Sequence, residues 1–297
     1  MILSTEIGSL RKRVGERKCI EMLASVGFDA LDYSFTPDME RGITPWNRED
    51  YRGYARELLK IAQDNGVYFN QAHAPFLFSA EEFENYEERI LPMNIRCLEI
   101  CALLGIPHMV IHPLHYLDYR QHKERLWELN YEYYRKMLPY AKETGVKIAL
   151  ENMILFDENR GRMIPDFLGD AQEYIAFLRE LNAPEFVCCI DTGHCAFSDQ
   201  NVGEVLRKMG KRVHALHVND NRYRKDDHLV PGMGCIDWNS CMEALAEIGY
   251  QGDITFEALN HYQAYDDDFL MTAAKYLHDV GRYLIKKVEN GIKKQEK

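Results

Sequence analysis

The stretch CALLGIPHMVIHP, residues 101–113, contains the structural unit that determines the fold. It begins as the end of a helix and reaches Gly105, a residue suited to the left-handed conformation that follows many helices. The apolar run HMVIH then predicts a short buried strand. That strand ends in His112, whose imidazole can bind a metal ion or transfer a proton. A helix, a glycine, a strand and a polar strand end therefore form one unit.

The same unit recurs along the chain at a nearly constant period. The junction residues between helix and strand are Gly27, Gly66, Gly105, Gly145, Asn182, Gly210 and Gly249. The first four glycines are 39, 39 and 40 residues apart. The predicted strands are ILSTEI, ALDYSF, VYFNQAH, HMVIH, KIALEN, FVCCID, VHALHV and DITFEA. Predicted helices include residues 48–65, 81–104, 238–248 and 269–291.

Eight alternating strands and helices favour one fold class. Such alternation indicates parallel strands joined by crossover helices. Eight units in 297 residues are typical of an α/β protein with a (β/α)₈ TIM barrel. A doubly wound open sheet is the structural alternative. No linker or change of composition divides the chain, so we expect a single domain over residues 1–297.

Composition and charge narrow the functional class. The formal charge of −11 argues against a nucleic-acid partner, because a duplex binder needs a positive surface. We expect neither a signal peptide nor a membrane partner, since the N-terminus has no cleavable apolar core and no window approaches about 20 apolar residues. The eight cysteines form no C-x-x-C pair, and several lie in apolar runs. This usage indicates a reduced, cytoplasmic protein.

From the third strand to the eighth, every predicted strand ends in a residue that can bind metal or act as an acid or base. These residues are His73, His112, Glu151, Asp191 with His194, His217 with Asp220, and Glu257. The carboxyl ends of barrel strands converge on one mouth. Because alternate residues of a strand share a face, Glu151 should point inward with Ala149, and Asp191 with Cys189.

Each of these residues alone has an ordinary structural explanation. A histidine at a strand end often only accepts or donates a hydrogen bond, and an acidic residue often caps the next helix. Together, however, several carboxylates at one mouth repel one another and lose hydration unless a cation compensates them. The pattern therefore predicts a divalent-metal site.

The motifs HAPF, IHP, LEN, CIDTGHCAF, LHVND, DDHLVPGMGCIDW and FEA resemble those of the xylose isomerase-like TIM-barrel superfamily. That superfamily contains sugar and sugar-phosphate isomerases and epimerases, ketose 3-epimerases, inosose-processing enzymes and endonuclease IV. The resemblance implies a metal-dependent isomerase or epimerase of carbohydrate metabolism, whose partner is a small sugar or sugar phosphate. It also implies a homodimer or a homotetramer, and the sequence favours neither.

The resemblance to the epimerases implies a metal site and a catalytic pair. One divalent ion, foremost Mn²⁺ with Mg²⁺, Co²⁺ or Zn²⁺ as alternatives, would be held by Glu151, Asp191, His217 and Glu257. Glu151 and Glu257 would also be catalytic. One would remove the proton next to the substrate carbonyl and the other would return it, through a metal-bound enediolate. Two carboxylates on opposite faces suit epimerisation, whereas one shuttling base suffices for isomerisation.

The resemblance also implies substrate-binding residues. They are His73, His112, His194, Arg222 and His228. The alternative for Arg222 and His228 is a solvated loop. The loop KDDHLVPGMGCIDW resembles a turn that closes over the mouth, but Met233 stands where glutamate is common, which leaves its anchoring open. Arg160 and Arg162 are candidates for binding phosphate or are ordinary surface charges. The aromatic candidates for a sugar pocket are Phe76, Phe78, Tyr116 and Trp238.

The main rival is a three-zinc phosphodiesterase similar to endonuclease IV. Counterparts of its ligands are His73, His112, Glu151, Asp191, His194, His217, Asp226, His228 and Glu257. The acidic charge of the chain argues against this rival. Two further alternatives are a metal-dependent carbohydrate lyase or dehydratase and a non-catalytic binding barrel. The intact carboxylate pair Glu151 and Glu257 argues against the binding barrel.

Overall fold

Eight parallel strands are the centre of the structure, a computed structural model that describes residues 1–35, 44–76, 86–197 and 201–295. The described residues form ten strands, of which β6 and β7 lie outside the parallel sheet. They are β1 (Leu3–Glu6), β2 (Ala30–Ser34), β3 (Tyr68–His73), β4 (His108–Val110), β5 (Lys147–Glu151), β6 (Ile154–Asp157), β7 (Arg162–Pro165), β8 (Phe186–Asp191), β9 (Val213–His217) and β10 (Ile254–Phe256). The parallel sheet has the order β10-β1-β2-β3-β4-β5-β8-β9. All eight predicted strands are confirmed.

The sheet closes between β9 and β10. Val218 N donates a hydrogen bond to Thr255 O at 2.8 Å, and Glu257 N donates to Val218 O at 3.1 Å. These bonds form a parallel bridge between Val218 and Phe256. Closure excludes the doubly wound open sheet and confirms the (β/α)₈ TIM barrel. That residues 1–297 form a single domain stays a prediction.

Helices connect the strands of the barrel. They are α1 (Gly8–Val14), α2 (Glu16–Val26), α3 (Tyr51–Asp64), α4 (Ile90–Leu104), α5 (Tyr119–Thr144), α6 (Ala171–Leu181), α7 (Thr192–Cys195), α8 (Val202–Met209), α9 (Trp238–Glu247) and α10 (Leu270–Gln295). On α3 the buried residues Ala55, Leu58 and Ala62 recur at intervals of three and four, the spacing of one helix face. In the described ranges, we find no helix that combines the length and the apolar character needed to cross a membrane.

The helix boundaries agree with the sequence to within four residues, except at the start of α4. The helix predicted at residues 48–65 is α3, which begins after Asp50 because that side chain accepts a hydrogen bond from Gly53 N at 3.2 Å. The helix predicted at 81–104 corresponds to α4, which starts at Ile90. Residues 86–89 form a turn, and residues 81–85 lie outside the described residues.

The predicted junction residues all have positive φ. Their φ angles lie between 44° at Asn182 and 102° at Gly27. At Gly105, φ is 73° and the amide donates hydrogen bonds to carbonyls of the last turn of α4, which closes the helix before β4 begins. The regular spacing of these residues in the sequence therefore corresponds to the length of one helix–strand unit of the barrel.

A short hairpin interrupts the barrel after β5 and was not predicted. Strands β6 and β7 pair antiparallel, with Asp157 opposite Arg162. Asp157 closes the turn because its Oδ1 accepts hydrogen bonds from Asn159 N at 3.0 Å and Arg160 N at 3.3 Å. Arg162, a candidate for binding phosphate, is the first residue of β7.

Small apolar side chains line the inside of the barrel along β4, β5, β8 and β9. Val110, Ala149, Cys189 and Ala215 form a buried cluster of their own. Each precedes a predicted site residue by two positions, namely His112, Glu151, Asp191 and His217. Because alternate strand residues share a face, the site residues continue this inner layer into the mouth of the barrel.

Candidate metal centre and active site

The four predicted metal ligands form one buried cluster. Glu151, Asp191, His217 and Glu257 each offer a ligand atom, and these atoms all lie within 4.8 Å of one another. Their side chains come from the ends of β5, β8 and β9 and from the residue after β10. All four residues are buried. Strands that are neighbours on one side of the barrel thus bring together residues that lie far apart in the sequence.

Asp191 is held in place before any ligand binds. Its Oδ1 accepts a hydrogen bond from His194 N at 2.7 Å, because Asp191 is the N-cap of α7. Its Oδ2 accepts a hydrogen bond from Asn219 Nδ2 at 2.7 Å. Gly193 makes room for this contact, since a Cβ at that position would lie 1.9 Å from Asn219 Oδ1. The carboxylate is therefore both a helix cap and a fixed part of the cluster.

The charges of the cluster are strongly coupled. Burial opposes ionisation of Glu151, but His217 and His112 outweigh it and hold the pKa of that carboxyl well below its usual range. Burial and the neighbouring charges of Glu151 and Asp191 raise the pKa of Glu257 well above its usual range. Burial lowers the pKa of His217, but Glu151 and Asp32 outweigh it and raise that pKa to about 9. The pKa values of the two glutamates are thus displaced in opposite directions.

These residues fit a divalent cation. His217 Nδ1 lies 3.1 Å from Glu151 Oε1 and 3.5 Å from Glu257 Oε2, so three of the candidate ligands already face one another. Three carboxyl groups and one imidazole are a donor set of hard oxygen atoms with one nitrogen, which suits Mn²⁺, Mg²⁺ or Co²⁺. A cation would also remove the electrostatic reason for keeping Glu257 protonated.

His73 and His112 lie against Glu151 Oε2, whereas His217 lies against Glu151 Oε1. Their Nε2 atoms are 3.1 Å apart, and His112 Nε2 is 3.0 Å from Glu151 Oε2. Burial lowers the pKa of both rings, to about 3 at His73, so both are neutral imidazoles. With Glu151 these two histidines form a second group whose ligand atoms lie close enough to hold a metal ion.

His194 and His228 are joined by Asp226. Asp226 Oδ2 is 2.8 Å from His228 Nε2 and 3.5 Å from His194 Nε2. Burial opposes ionisation of Asp226, but the two histidines hold its pKa well below the usual range. His228 adopts a positive φ of 45°, and its Nδ1 lies 2.8 Å from Glu257 O. The loop after β9 is thereby connected to the catalytic candidate after β10.

The loop that carries Asp226 and His228 is anchored by Asp220. Asp220 is fully buried, and its two oxygens accept hydrogen bonds from several donors of the loop. These donors are Gly232 N, Gly234 N, Ile236 N and Trp238 Nε1, at 2.8 to 3.1 Å. Met233, which stands where glutamate is common, is 43% exposed and takes no part. The residue that anchors the loop is therefore Asp220, which follows β9, and not the residue at position 233.

The remaining predicted residues have mixed placements. Arg222 is exposed, its backbone N–H donates to Asp227 Oδ2 at 3.1 Å, and its role in substrate binding stays a prediction. Arg160 lies 3.5 Å from Asp157. Phe76 stacks on His112 with ring centroids 4.5 Å apart. Tyr116 and Trp238 pack against the hydrophobic core, and Phe78 lies outside the described residues.

Two acidic residues of the mouth were missed in the sequence. Glu6 ends β1 and is 5% exposed, and Asp32 lies in β2 and is fully buried. Asp32 Oδ2 is 3.7 Å from His217 Nε2 and accepts a hydrogen bond from Gln71 Nε2 at 2.8 Å. The signal was present, because the predicted strands ILSTEI and ALDYSF carry acids as the later strands do. The pattern of polar strand ends thus extends to all eight strands.

A cavity of about 260 Å³ opens over the cluster. It is lined by Phe76, His112, His115, Glu151, Met153, Ile154, Met163, His194, Asp226, His228, Glu257 and Leu259. Both catalytic candidates and three of the five predicted substrate-binding residues thus face one space. Ile154 and Met163 come from the β6–β7 hairpin, which forms an apolar wall. A concave site with charged groups at its base and apolar walls is suited to a small polar ligand.

Known proteins resemble this chain over most of its length. A D-psicose 3-epimerase from Ruminiclostridium cellulolyticum is 26% identical over 247 residues, which cover 80% of this chain and 76% of the relative. An inosose isomerase from Bacillus subtilis is 23% identical over 62% of this chain and 66% of the relative. A D-psicose 3-epimerase from Clostridium cellulolyticum H10, solved with D-tagatose, superposes with a TM-score of 0.73 at 21% identity, over 96% of this chain and 99% of that chain.

The assignment of the chain to a family rests on a family profile that matches most of the barrel. The sequence profile described as xylose isomerase-like TIM barrel matches residues 20–279, which include every barrel strand except β1. The four clustered ligands, the two histidine groups and the loop anchored by Asp220 all lie within this range. The chain belongs to the xylose isomerase-like TIM barrel family.

Proposed function

We propose that this protein is a divalent-metal-dependent sugar epimerase or isomerase that acts on a ketose. The observation that supports this most is the buried cluster of Glu151, Asp191, His217 and Glu257, which combines a candidate metal site with two carboxyl groups that can act as base and acid. The relatives support a ketose substrate, because they include D-psicose 3-epimerases and L-ribulose 3-epimerases. D-Psicose and D-tagatose are therefore the first substrates to test.

The two glutamates divide the proton transfer. Glu151, kept ionised by His217 and His112, is the group prepared to accept the proton from the carbon next to the carbonyl. Glu257, whose pKa is raised by burial and its acidic neighbours, is the group that would deliver a proton to the other face of that carbon. Their strands, β5 and β10, are separated by β8 and β9 around the barrel. Two such groups can serve opposite faces of one carbon, which is the requirement for epimerisation.

The neighbouring residues hold and orient the sugar. His112, His194 and His228 face the cavity and offer ring nitrogens to substrate hydroxyls. Ile154 and Met163 exclude water from the wall formed by the hairpin. A divalent ion held by Glu151, Asp191, His217 and Glu257 would act as a Lewis acid on the substrate's carbonyl and adjacent hydroxyl. We propose one ion per chain, with Mn²⁺ as the metal.

The test combines metal content with exchange at the reacting carbon. The protein is purified without chelator, its metals are counted by mass spectrometry, and ketoses are incubated in D₂O and followed by NMR. We expect about one Mn, Mg or Co ion per chain and deuterium at the epimerised carbon. We expect Glu257→Gln and Glu151→Gln each to lower kcat by about 10²–10⁴-fold, the usual contribution of a general acid or base. Full turnover by either variant would contradict the assignment.

A second function is favoured by one specific observation. His73, His112 and Glu151 form a second group that could hold a metal ion, and Asp226 joins His194 to His228. This arrangement supports a three-zinc phosphodiesterase. Three zinc ions per chain, together with cleavage of an abasic DNA duplex and no turnover of any ketose, would replace the epimerase proposal. The charge of −11 favours the sugar enzyme.

A further inference from the structure

The mouth of the barrel has a second lobe, about 220 Å³ in volume, which we call the Glu6 lobe. Its polar walls come from the end of β1, the start of α1, the end of β2 and the segment after β10. Besides His73 and Glu257, the polar side chains that line it are Glu6, Ser9, Lys12, Ser34, Asn260 and Gln263. Phe76, Glu257 and Leu259 line both the Glu6 lobe and the cavity over the metal cluster. A molecule that reaches Glu257 can therefore extend into the Glu6 lobe.

Glu6 faces this lobe with an unsatisfied carboxyl oxygen. Its Oε1 accepts a hydrogen bond from Gly8 N at 2.5 Å, whereas the described residues offer no partner to the buried Oε2. Glycine is needed at position 8, since a Cβ there would lie 2.4 Å from Oε1. Burial and the charge of Asp32 raise the pKa of Glu6 to about 7. A buried carboxyl group with a free acceptor costs stability, so its presence indicates a ligand that donates to Oε2.

The other polar groups of the lobe complement Glu6. Lys12 is exposed at the rim, and within the described part of the chain its ammonium makes no ion pair or hydrogen bond. It offers donors only, whereas the hydroxyl of Ser9 and the amide of Gln263 can donate and accept. Asn260 already donates to Asp227 O and accepts from Gln263 Nε2, both at 2.9 Å. Phe76 and Leu259 add an apolar surface on the side of the metal cluster. Mixed donors and acceptors beside an apolar face match the hydroxyls and C–H faces of a sugar.

We infer that the Glu6 lobe binds an uncharged, polyhydroxylated group that lies beyond the reacting carbons of the substrate. This inference rests on the proposed function, because the reacting carbons are assigned to the cluster of Glu151 and Glu257. A phosphate group is disfavoured in the lobe. Two buried carboxyl groups, Glu6 and Glu257, line it against one exposed ammonium, and a dianion would be repelled by any ionised carboxylate there. The substrate class is therefore an unphosphorylated sugar.

The size of the lobe admits two sources of these hydroxyls. Its volume equals that of about seven waters at about 30 Å³ each, so it exceeds the space needed for one or two hydroxyl groups. The bound group is either the terminal carbons of a ketohexose or a glycosyl residue attached to the reacting sugar. Both present neutral hydroxyls to Glu6 Oε2 and Lys12, and ligands of different length distinguish them.

The experiment measures binding of unreactive alditols to the metal-loaded protein by isothermal titration calorimetry. The ligands are erythritol, D-glucitol, maltitol and D-glucitol 6-phosphate. Each is titrated into the unmodified protein, into Glu6→Gln and into Lys12→Met. Glu6→Gln keeps an oxygen for the hydrogen bond from Gly8 N but presents an amide to the lobe. Lys18→Met, which removes an exposed ammonium of α2 outside the lobe, is the matched control.

We expect D-glucitol to bind the unmodified protein and Lys18→Met at least about tenfold more tightly than erythritol, the effect of one hydrogen bond to a charged group. In Glu6→Gln and Lys12→Met that ratio should fall to about twofold or less. Maltitol binding more tightly than D-glucitol would assign the lobe to a glycosyl residue, and the reverse order to the terminal carbons. D-Glucitol 6-phosphate should bind no more tightly than D-glucitol.

Three results would overturn the inference. They are an unchanged ratio in both lobe variants, tighter binding of the phosphorylated alditol, and no binding of any alditol to the unmodified protein. Failure of the proposed function is separate, because it is measured as turnover of ketoses. If the protein turns over no ketose but still binds D-glucitol more tightly than erythritol in the way described, the inference about the Glu6 lobe stands and the proposed function fails. If the protein epimerises ketoses but the ratio of its affinities for D-glucitol and erythritol is the same in every variant, the proposed function stands and the inference about the Glu6 lobe fails.

Discussion

The buried carboxyl group of Glu6 makes folding depend on pH. Its pKa rises from 4.5 to about 7 on folding, so between these values the folded state binds more protons than the unfolded state. The free energy of unfolding therefore falls as the pH rises through this window. At about 1.4 kcal/mol per pH unit the loss is about 3 kcal/mol above pH 7. We expect Glu6→Gln to match the unmodified protein at pH 4.5 and to exceed it by up to this amount at pH 8.

Urea denaturation at pH 4.5, 6 and 8 measures this difference. Glu21→Gln, which removes an exposed carboxyl of α2, is the control and should show no trend. A constant difference between Glu6→Gln and the unmodified protein across the three pH values would show that Glu6 has an ordinary pKa. A difference that grows with pH would show that the carboxyl group of Glu6 lowers the stability of the fold. Residues of functional sites often have this effect.

Asp32 should act on the metal site through His217. Its carboxylate lies 3.7 Å from His217 Nε2, and both His217 Nε2 and Asp32 Oδ1 are buried without a partner among the described residues. A carboxylate behind a ligating imidazole fixes the ring and strengthens its binding to the metal. We expect Asp32→Asn to weaken Mn²⁺ binding by about 10–100-fold. Calorimetric titration of metal-free protein measures this, and unchanged affinity in a folded variant would exclude the role.

At the level of elements, the loop after β9 depends on Asp220. Asp220 receives only donors, so an amide at this position places an NH₂ group against N–H groups of the loop. We expect Asp220→Asn to destabilise the fold by about 2–4 kcal/mol, the cost of a lost buried charged acceptor. Amide exchange should accelerate over residues 228–236. Asp237→Asn is the control, because asparagine also caps the start of α9 and should cost only a few tenths of a kcal/mol. Equal effects of the two substitutions would contradict the anchor.

The elements show what the sequence could and could not predict. The barrel strands after β1 were predictable because each combines a buried apolar run with a preceding residue of positive φ, as at Gly105. The β6–β7 hairpin was not, since four-residue strands around the charged stretch DENRGR carry little periodic signal. Its strands are held partly by a distant contact, Met163 N to Arg224 O at 3.1 Å. The metal cluster was predictable from strand ends, whereas the role of Asp220 required the fold.

For the whole molecule, the metal cluster lies across the weakest junction of the barrel. Strands β2 and β3 pair over five residues, from Ala30 to Ser34, whereas β9 and β10 meet through a single bridge with two backbone hydrogen bonds. His217 ends β9 and Glu257 follows β10, so two ligands lie on opposite sides of this junction. A cation held by both would cross-link it. Without a cation, the junction brings the carboxyls of Glu257 and Asp191 together, which contributes to raising the pKa of Glu257.

Removal of the metal should therefore loosen the barrel at one place first. We expect chelation to lower the free energy of unfolding by about 2.7 kcal/mol relative to protein with metal at 100 times its Kd, and Tm by about 5–10 °C. Hydrogen exchange should accelerate at the amides of Val218 and Glu257 and remain slow in β2 and β3. Added Mn²⁺ should restore both. Asp191→Asn, which lacks one ligand, is the control and should respond weakly to chelator. Equal acceleration at both junctions would show that the cation does not join β9 to β10.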